Sequence, residues 1–107
     1  MAIKPLQITT GDTRPWKFTL KDETGTAVDL TSAIVNVYGR KRGVTTNWIA
    51  GTAVLTSTTG GVITYNATTT DVMLPGTFDL ELKITDSGGK VQRNFELIPL
   101  EVREAFT

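Results

Sequence analysis

A chain of 107 residues has the length of one ordinary domain, and we expect residues 1–107 to fold as a single unit. It contains 11 lysine and arginine residues against 11 aspartate and glutamate residues, with no histidine and no cysteine. Disulfides, thiolate metal sites and cysteine nucleophiles are therefore excluded, and the lack of a basic excess argues against a nucleic acid or an anionic membrane as partner.

The first part of the chain is predicted to form short strands joined by turns. Pro5 to Thr10 forms the first candidate strand, and residues 16–21 then alternate apolar with polar side chains. A period of two is typical of a strand with one buried face, so Trp16 is predicted to lie in the core. The following Asp22-Glu23-Thr24-Gly25 has the residue types of a tight turn.

The middle of the chain is less regular. Ala33 to Arg40 is predicted to be a strand, and because both of its faces are partly apolar we expect it to be central or covered. Gly39 to Trp48 is predicted to be a long hairpin tip or an irregular crossover. Two further strands are expected, at Gly51 to Ser57 and at Val62 to Asn66.

The clearest strand in the sequence runs from Thr77 to Thr85. Four apolar residues occupy one side of it and four polar residues the other. It is followed by the turn sequence Asp86-Ser87-Gly88-Gly89, which makes it one arm of a hairpin. Strands are expected again at 90–96 and 97–102, while residues 71–74 could form one helical turn.

These patterns together predict an all-β fold. Short apolar segments are separated by turn signals at intervals of roughly 8–12 residues, as in sandwiches and barrels. The apolar face of the strand at Thr77 to Thr85 needs a second sheet to cover it. We therefore expect an antiparallel β-sandwich of about seven to eight strands.

The order of the motifs resembles a known family. From Ile8 to Val102 the succession is similar to the immunoglobulin-like domain at the N-terminus of phage baseplate upper proteins, and to related small phage tail-associated proteins. The motifs that carry the resemblance are Gly11-Asp12-Thr13, Leu20 to Thr31, Ala33-Ile34-Val35, Gly61 to Tyr65, Asp71, Pro75-Gly76-Thr77-Phe78 and Asp86 to Val91. Phe78 departs from the pattern, because such domains often have tyrosine there.

The resemblance implies an immunoglobulin-like sandwich with a structural role. It suggests an adaptor that packs into a tail, baseplate or tail-fibre assembly, and fold similarity alone does not fix that role.

The sequence offers little for catalysis or metal binding. Its serines, Ser32, Ser57 and Ser87, lie at turns or strand starts with no base beside them, so we expect no enzyme. Asp79 and Glu81 lie on the outward face of one strand, where a solvated surface is the simplest interpretation. The loop aspartates do not have the spacing of a calcium loop and are interpreted as turn or cap residues, so no metal and no cofactor are expected. They are Asp12, Asp22, Asp29, Asp71 and Asp86.

The candidate interface comprises Tyr38, Arg40, Lys41, Arg42 and Trp48. The three basic residues are interpreted as a solvated loop, as a phosphate contact or, as we favour, as a contact with an acidic neighbouring subunit. Trp48 is a candidate anchor if it is exposed. If it is buried, it closes the end of the sandwich.

The sequence therefore leads to one main functional hypothesis. It is a non-enzymatic structural or adaptor component of a phage or prophage tail or baseplate, acting through protein–protein assembly. Its expected partners are other virion or tail proteins or copies of itself, without nucleic acid or membrane. Exposed sheet edges and the segment Glu101–Thr107 are expected to contribute contacts.

The expected location is the virion, after synthesis in the host cytoplasm, because residues 1–6 lack the apolar core of a signal peptide. The alternative function is a carbohydrate- or cell-surface-binding module that uses its exposed aromatic residues.

Overall fold

The computed structural model describes residues 6–22, 24–93 and 97–106. Within these ranges the chain forms strands, turns and loops and no helix. Nine strands follow one another: β1 (Leu6–Thr9), β2 (Trp16–Thr19), β3 (Ile34–Lys41), β4 (Ile49–Thr52), β5 (Val54–Ser57), β6 (Val62–Tyr65), β7 (Gly76–Thr85), β8 (Val91–Arg93) and β9 (Ile98–Arg103).

The strands form two sheets that enclose one core. The larger sheet has the order β1-β9-β7-β3-β4, with β8 also paired to β7, and the smaller sheet has the order β2-β6-β5. The described strand pairs are antiparallel except β1 with β9, which run parallel. This arrangement is immunoglobulin-like. The prediction of an all-β, immunoglobulin-like antiparallel sandwich is confirmed.

The described strands are nine, against the seven to eight expected, and one reason is a crossing at Ala53. The segment Gly51 to Ser57 was predicted as one strand, but β4 belongs to the larger sheet and β5 to the smaller. Ala53 between them is buried, and its N–H donates to the carbonyl of Val35 at 2.8 Å. Ala53 itself is neither glycine nor proline, and Gly51 before it lies within β4, so the sequence pattern missed this change of sheet.

The core is built from alternate residues of both sheets. On β7 the four apolar residues are buried, with Phe78, Leu80 and Leu82 fully so, which confirms the predicted alternation. From the smaller sheet, Trp16 and Phe18 are buried against them, as predicted. Each such large side chain contributes about 2–3 kcal/mol by leaving water, before packing and entropy terms.

One other sequence prediction needs correction, because residues 71–74 form turns and bends, not a helical turn. The prediction that the third main strand is central or covered is confirmed, because β3 lies between β7 and β4. Its outward face stays partly open, with Ile34 57% exposed. This outward face carries the candidate site.

The outer strands of both sheets are short. β1 and β4 end the order of the larger sheet and β2 and β5 that of the smaller, and each has four described residues. β8, beside β7, has three described residues. Among the described residues there is no helix that is long and apolar enough to cross a membrane.

A candidate interface on the larger sheet

The candidate interface lies on the outer face of the larger sheet. Along β3, Tyr38 and Arg40 point away from the core, while Val35 and Val37, which precede them, point into it. The register of the sheet places Tyr38 opposite Glu81 and Arg40 opposite Asp79 on β7. Side chains opposite one another on the same face are close enough to interact. The pairing therefore brings together residues that are far apart in the sequence.

These residues border a groove of about 530 Å³, which we call the outer groove. One wall is the end of β3 with the following loop, and the floor includes the middle of β7. The lining residues are Tyr38, residues 40–44, Asn47, Asp79, Glu81, Arg93 and Leu97.

Two ion pairs neutralise the carboxylates of the groove. Arg42 Nη2 lies 2.9 Å from Asp79 Oδ1, and Arg93 Nη1 lies 2.7 Å from Glu81 Oε1. The hydrogen bond to Asp79, together with its charge, raises the pKa of Arg42. Both pairs are exposed to solvent, so their main effect is to orient the guanidinium groups and not to stabilise the fold.

Two further cations have no carboxylate partner among the described residues. Arg40 Nε donates to the neutral side-chain oxygen of Asn47 at 2.8 Å. Lys41 makes no described ion pair, and its stem passes close to Gly76. Among the described residues that line the groove there are four cations and two carboxylates, which is an excess of two positive charges.

Apolar side chains complete the groove. Val44 in the loop is 48% exposed and Leu97 before β9 is 49% exposed. Tyr38 is partly exposed between them and the charged residues. A surface that combines aromatic, arginine and aliphatic groups in one depression is typical of the binding centres of protein interfaces.

Trp48 does not line the outer groove, unlike the other four predicted interface residues. Its backbone N–H donates to the carbonyl of Gly39 at 2.7 Å, which closes the hairpin between β3 and β4. Its indole Nε1–H donates to the carbonyl of Asp71 at 3.2 Å, and the side chain is 37% exposed. The structure therefore brings Tyr38, Arg40, Lys41 and Arg42 together. The Trp48 side chain instead packs against the connection between β6 and β7, through its hydrogen bond to Asp71.

That connection is organised by a buried carboxylate. Asp71 is 8% exposed, and its Oδ2 accepts hydrogen bonds from the Tyr65 hydroxyl at 2.7 Å and from the Thr68 N–H at 3.0 Å. Burial, with the hydrogen bond and charge of Asp71, raises the pKa of Tyr65. Sequence reasoning treated Asp71 as a turn residue and did not anticipate its link to Tyr65.

The other four aspartates that were considered as metal ligands act within their own turns, as predicted. Asp22 Oδ1, for example, accepts hydrogen bonds from the N–H groups of Thr24 and Thr26. Hydrogen bonds from nearby side chains, with further bonds from backbone N–H groups, lower the pKa of these turn carboxylates, namely Asp12 (bonded by Arg14), Asp22 (by Thr24) and Asp29 (by Thr31). Within the described ranges, no three acidic side chains form a cluster that could hold a metal ion.

Sequence reasoning missed several groove residues. Asp79 and Glu81 were interpreted as a solvated face, and Arg93, Val44 and Leu97 were not singled out. The alternation on β7 already predicts that both carboxylates point outward. Which arginine pairs with each carboxylate depends on the strand register and on the path of the loop. The register and the loop path cannot be predicted from residue spacing along the chain.

A second depression of about 340 Å³ lies on the same sheet, beside β1 and β9. The segment after β9 runs next to it. Ala105 N–H donates to Thr10 Oγ1 at 2.9 Å, and Arg103 lies 5.0 Å from the ring centre of Phe106. Phe106 is 96% exposed, the largest exposure among the described large apolar side chains.

Comparison with known proteins identifies similar folds but no relative in sequence. No protein-family model matches the chain, and no curated protein matches it. The N-terminal domain of phage TP901-1 ORF48 superposes with a TM-score of 0.65 at 13% identity, covering 92% of this chain and 84% of that chain. CopC from Methylosinus trichosporium OB3b gives a TM-score of 0.57 at 11% identity, covering 99% of this chain and 89% of that one. At these identities the likeness shows the fold alone, and one of the two similar structures is a phage protein domain.

Proposed function

We propose that the protein is a non-enzymatic structural or adaptor component of a phage or prophage tail or baseplate, and that it acts through protein–protein assembly. The observation that carries this proposal is the outer groove, a mixed cationic and apolar depression on an uncovered sheet face. The fold similarity to a phage protein domain supports the phage setting.

The groove is better suited to binding than to catalysis. Its two carboxylates are each held by an arginine, Asp79 by Arg42 and Glu81 by Arg93, so both already have a partner within the groove. Its described lining residues include no serine or threonine that could act as a nucleophile beside a base. A partner that displaces solvent from the groove would meet oriented charges and apolar walls.

The groove is also held in shape by backbone hydrogen bonds. Arg42 N–H donates to the carbonyl of Thr77 at 2.9 Å, and Val44 N–H donates to the carbonyl of Lys41 at 2.9 Å. These bonds tie the loop to β7 and to the end of β3. A surface that is already ordered loses less conformational entropy on binding.

The groove is favoured over the sheet edges as the assembly surface. The outer strands β2, β4 and β5 each present only four residues of backbone to a joining strand. Strand addition depends on a run of main-chain hydrogen bonds, so edges this short offer little affinity.

The experiment is recovery of the protein in phage particles. A tagged chain is expressed in a host that produces the phage, and particles are purified on a density gradient and analysed by mass spectrometry. We expect the chain at a fixed ratio to the other particle proteins. The variant Arg40→Glu with Lys41→Glu should be depleted, because it reverses the charge of the groove.

The control is Lys17→Glu with Lys21→Glu, which makes the same charge change at exposed positions of the smaller-sheet side. It should be incorporated normally. Absence of the wild-type chain from particles, combined with saturable quenching of tryptophan fluorescence by an envelope polysaccharide, would instead support the carbohydrate-binding alternative.

A further inference from the structure

We propose that the outer groove binds the segment Glu104–Phe106 of a second copy of this chain, and that two copies exchange this contact reciprocally to form a closed dimer. The proposal deepens the assembly function above and rests on it. It assigns the groove one occupant, taken from the chain itself.

The first step is the chemistry of the groove. Its excess of two positive charges comes from Arg40 and Lys41, which have no carboxylate partner among the described residues. Its apolar walls, Val44 and Leu97, are each about half exposed. A fitting occupant therefore carries a carboxylate and a large apolar side chain close together.

The second step is that the chain presents such a segment. Glu104 is exposed and makes no described ion pair, and Phe106, two residues later, is 96% exposed. An aromatic ring left almost wholly in water gains free energy by entering an apolar site. Aromatic residues are also enriched among those that dominate binding energy.

The third step is that this segment is already partly ordered. The hydrogen bond from Ala105 N–H to Thr10 Oγ1 fixes its backbone, and Arg103 stacks on the Phe106 ring. The entropy lost on docking is therefore smaller than for a free tail.

The fourth step is geometry. β7 begins at Gly76, which pairs with Val102 near the end of β9. The loop that follows β3 is bonded to Thr77 next to it. The groove and the segment Glu104–Phe106 thus lie toward the same end of the larger sheet. Two copies that meet through this end can each dock a segment in the other, which gives a closed two-fold dimer and not an open filament.

The test is sedimentation velocity of the full chain over a range of concentrations. We expect a monomer–dimer equilibrium that weakens with added salt, because the contact includes charge pairs. The variant Phe106→Ser should raise the dissociation constant at least roughly tenfold, because one aromatic side chain is lost from both contacts of the dimer. Arg40→Glu with Lys41→Glu should weaken the dimer similarly.

Matched variants separate docking from general effects. Val54→Ser removes another exposed apolar group, 55% exposed on the smaller sheet, and should leave the dimer unchanged. Lys41→Glu combined with Glu104→Lys reverses both charges and should recover part of the affinity lost by Lys41→Glu alone. Urea unfolding of each variant confirms that the fold is retained.

A chain that stays monomeric, or a dimer that is indifferent to Phe106→Ser, would overturn the proposal. So would a dimer that Val54→Ser weakens as much as Phe106→Ser does. The assembly function is judged separately. A monomeric chain that is still recovered in particles contradicts only the dimer, whereas a dimer that is missing from particles contradicts only the phage role.

Discussion

Tyr65 shows how much of the structure can depend on one hydroxyl group. Its ring packs against Trp16 with 5.3 Å between the ring centres. It also lies so close to Gly51 that a Cβ atom added there would be 2.7 Å from the Tyr65 Cε1. Its hydroxyl reaches Asp71, whose carbonyl in turn accepts the indole N–H of Trp48. One side chain thus links β4, the core and the connection to β7.

We expect Tyr65→Phe to lower the free energy of unfolding by about 2 kcal/mol, because it removes a buried hydrogen bond to a carboxylate. Urea denaturation measures this change. Tyr38→Phe is the control, since the Tyr38 hydroxyl has no described partner and its loss should change stability by less than about 0.5 kcal/mol. Equal effects of the two substitutions would show that the bond to Asp71 contributes nothing.

The same variant tests the raised pKa of Tyr65. Below its ordinary value of 10.0 the hydroxyl is neutral in both the folded and the unfolded chain. As the pH rises above that value, the unfolded chain ionises first, so stability is lost. The wild-type protein should therefore lose more stability than Tyr65→Phe between about pH 9 and 11, and parallel losses would contradict the assignment.

At the scale of elements, the turn between β5 and β6 depends on glycine for two reasons. Gly61 has a φ of 67°, and a side chain there would place its Cβ 2.5 Å from the carbonyl oxygen of Leu20. Gly25 also has a positive φ, of 84°, but nothing lies within 4 Å of its Cβ position. The two glycines therefore separate backbone strain from steric overlap.

We expect Gly25→Ala to destabilise the fold by about 1 kcal/mol, through the left-handed backbone alone. Gly61→Ala should cost about 2 kcal/mol more, because overlap with backbone atoms adds to the same strain. The difference in urea midpoints measures the overlap. Indistinguishable midpoints would mean that the turn shifts to make room.

The elements also show what sequence patterns can and cannot predict. β2 and β7 were predicted closely, because one buried and one exposed face produce a period of two. The crossing at Ala53 was missed, because a chain that passes between sheets at a residue other than glycine or proline leaves no composition signal. For the groove, the sequence shows the basic residues of the loop after β3. The ion pairs depend on strand register and could not be predicted. The position of Trp48 depends on one hydrogen bond to a distant carbonyl, which no local pattern encodes.

At the scale of the whole molecule, the strands at the two ends of the described chain pair with each other. β1 lies parallel to β9, with Leu6 opposite Leu100 and Ile8 opposite Val102. Closing so long a loop is entropically costly, and folds dominated by such pairings fold slowly. The hairpin of β3 and β4, by contrast, joins segments that are close in sequence.

We therefore expect Ile8→Ala to speed unfolding with little effect on the folding rate, because β1 docks after the main barrier. Val37→Ala, in the hairpin of β3 and β4, should slow folding. Stopped-flow tryptophan fluorescence in urea measures both rates. If the whole stability loss of Ile8→Ala appears as a slower folding rate, β1 pairs before the main barrier and this order of events is wrong.

The four-residue outer strands also have a consequence for crowding. Long, flat and apolar strands at a sheet border template fibrils, because each added chain finds a complete row of unpaired amides. Here such a row ends after four residues at the outer strands β2, β4 and β5. We therefore expect the folded protein to tolerate high local concentration without cross-β stacking. Dense, ordered packing of many copies would then be made through side-chain surfaces and not through strand edges.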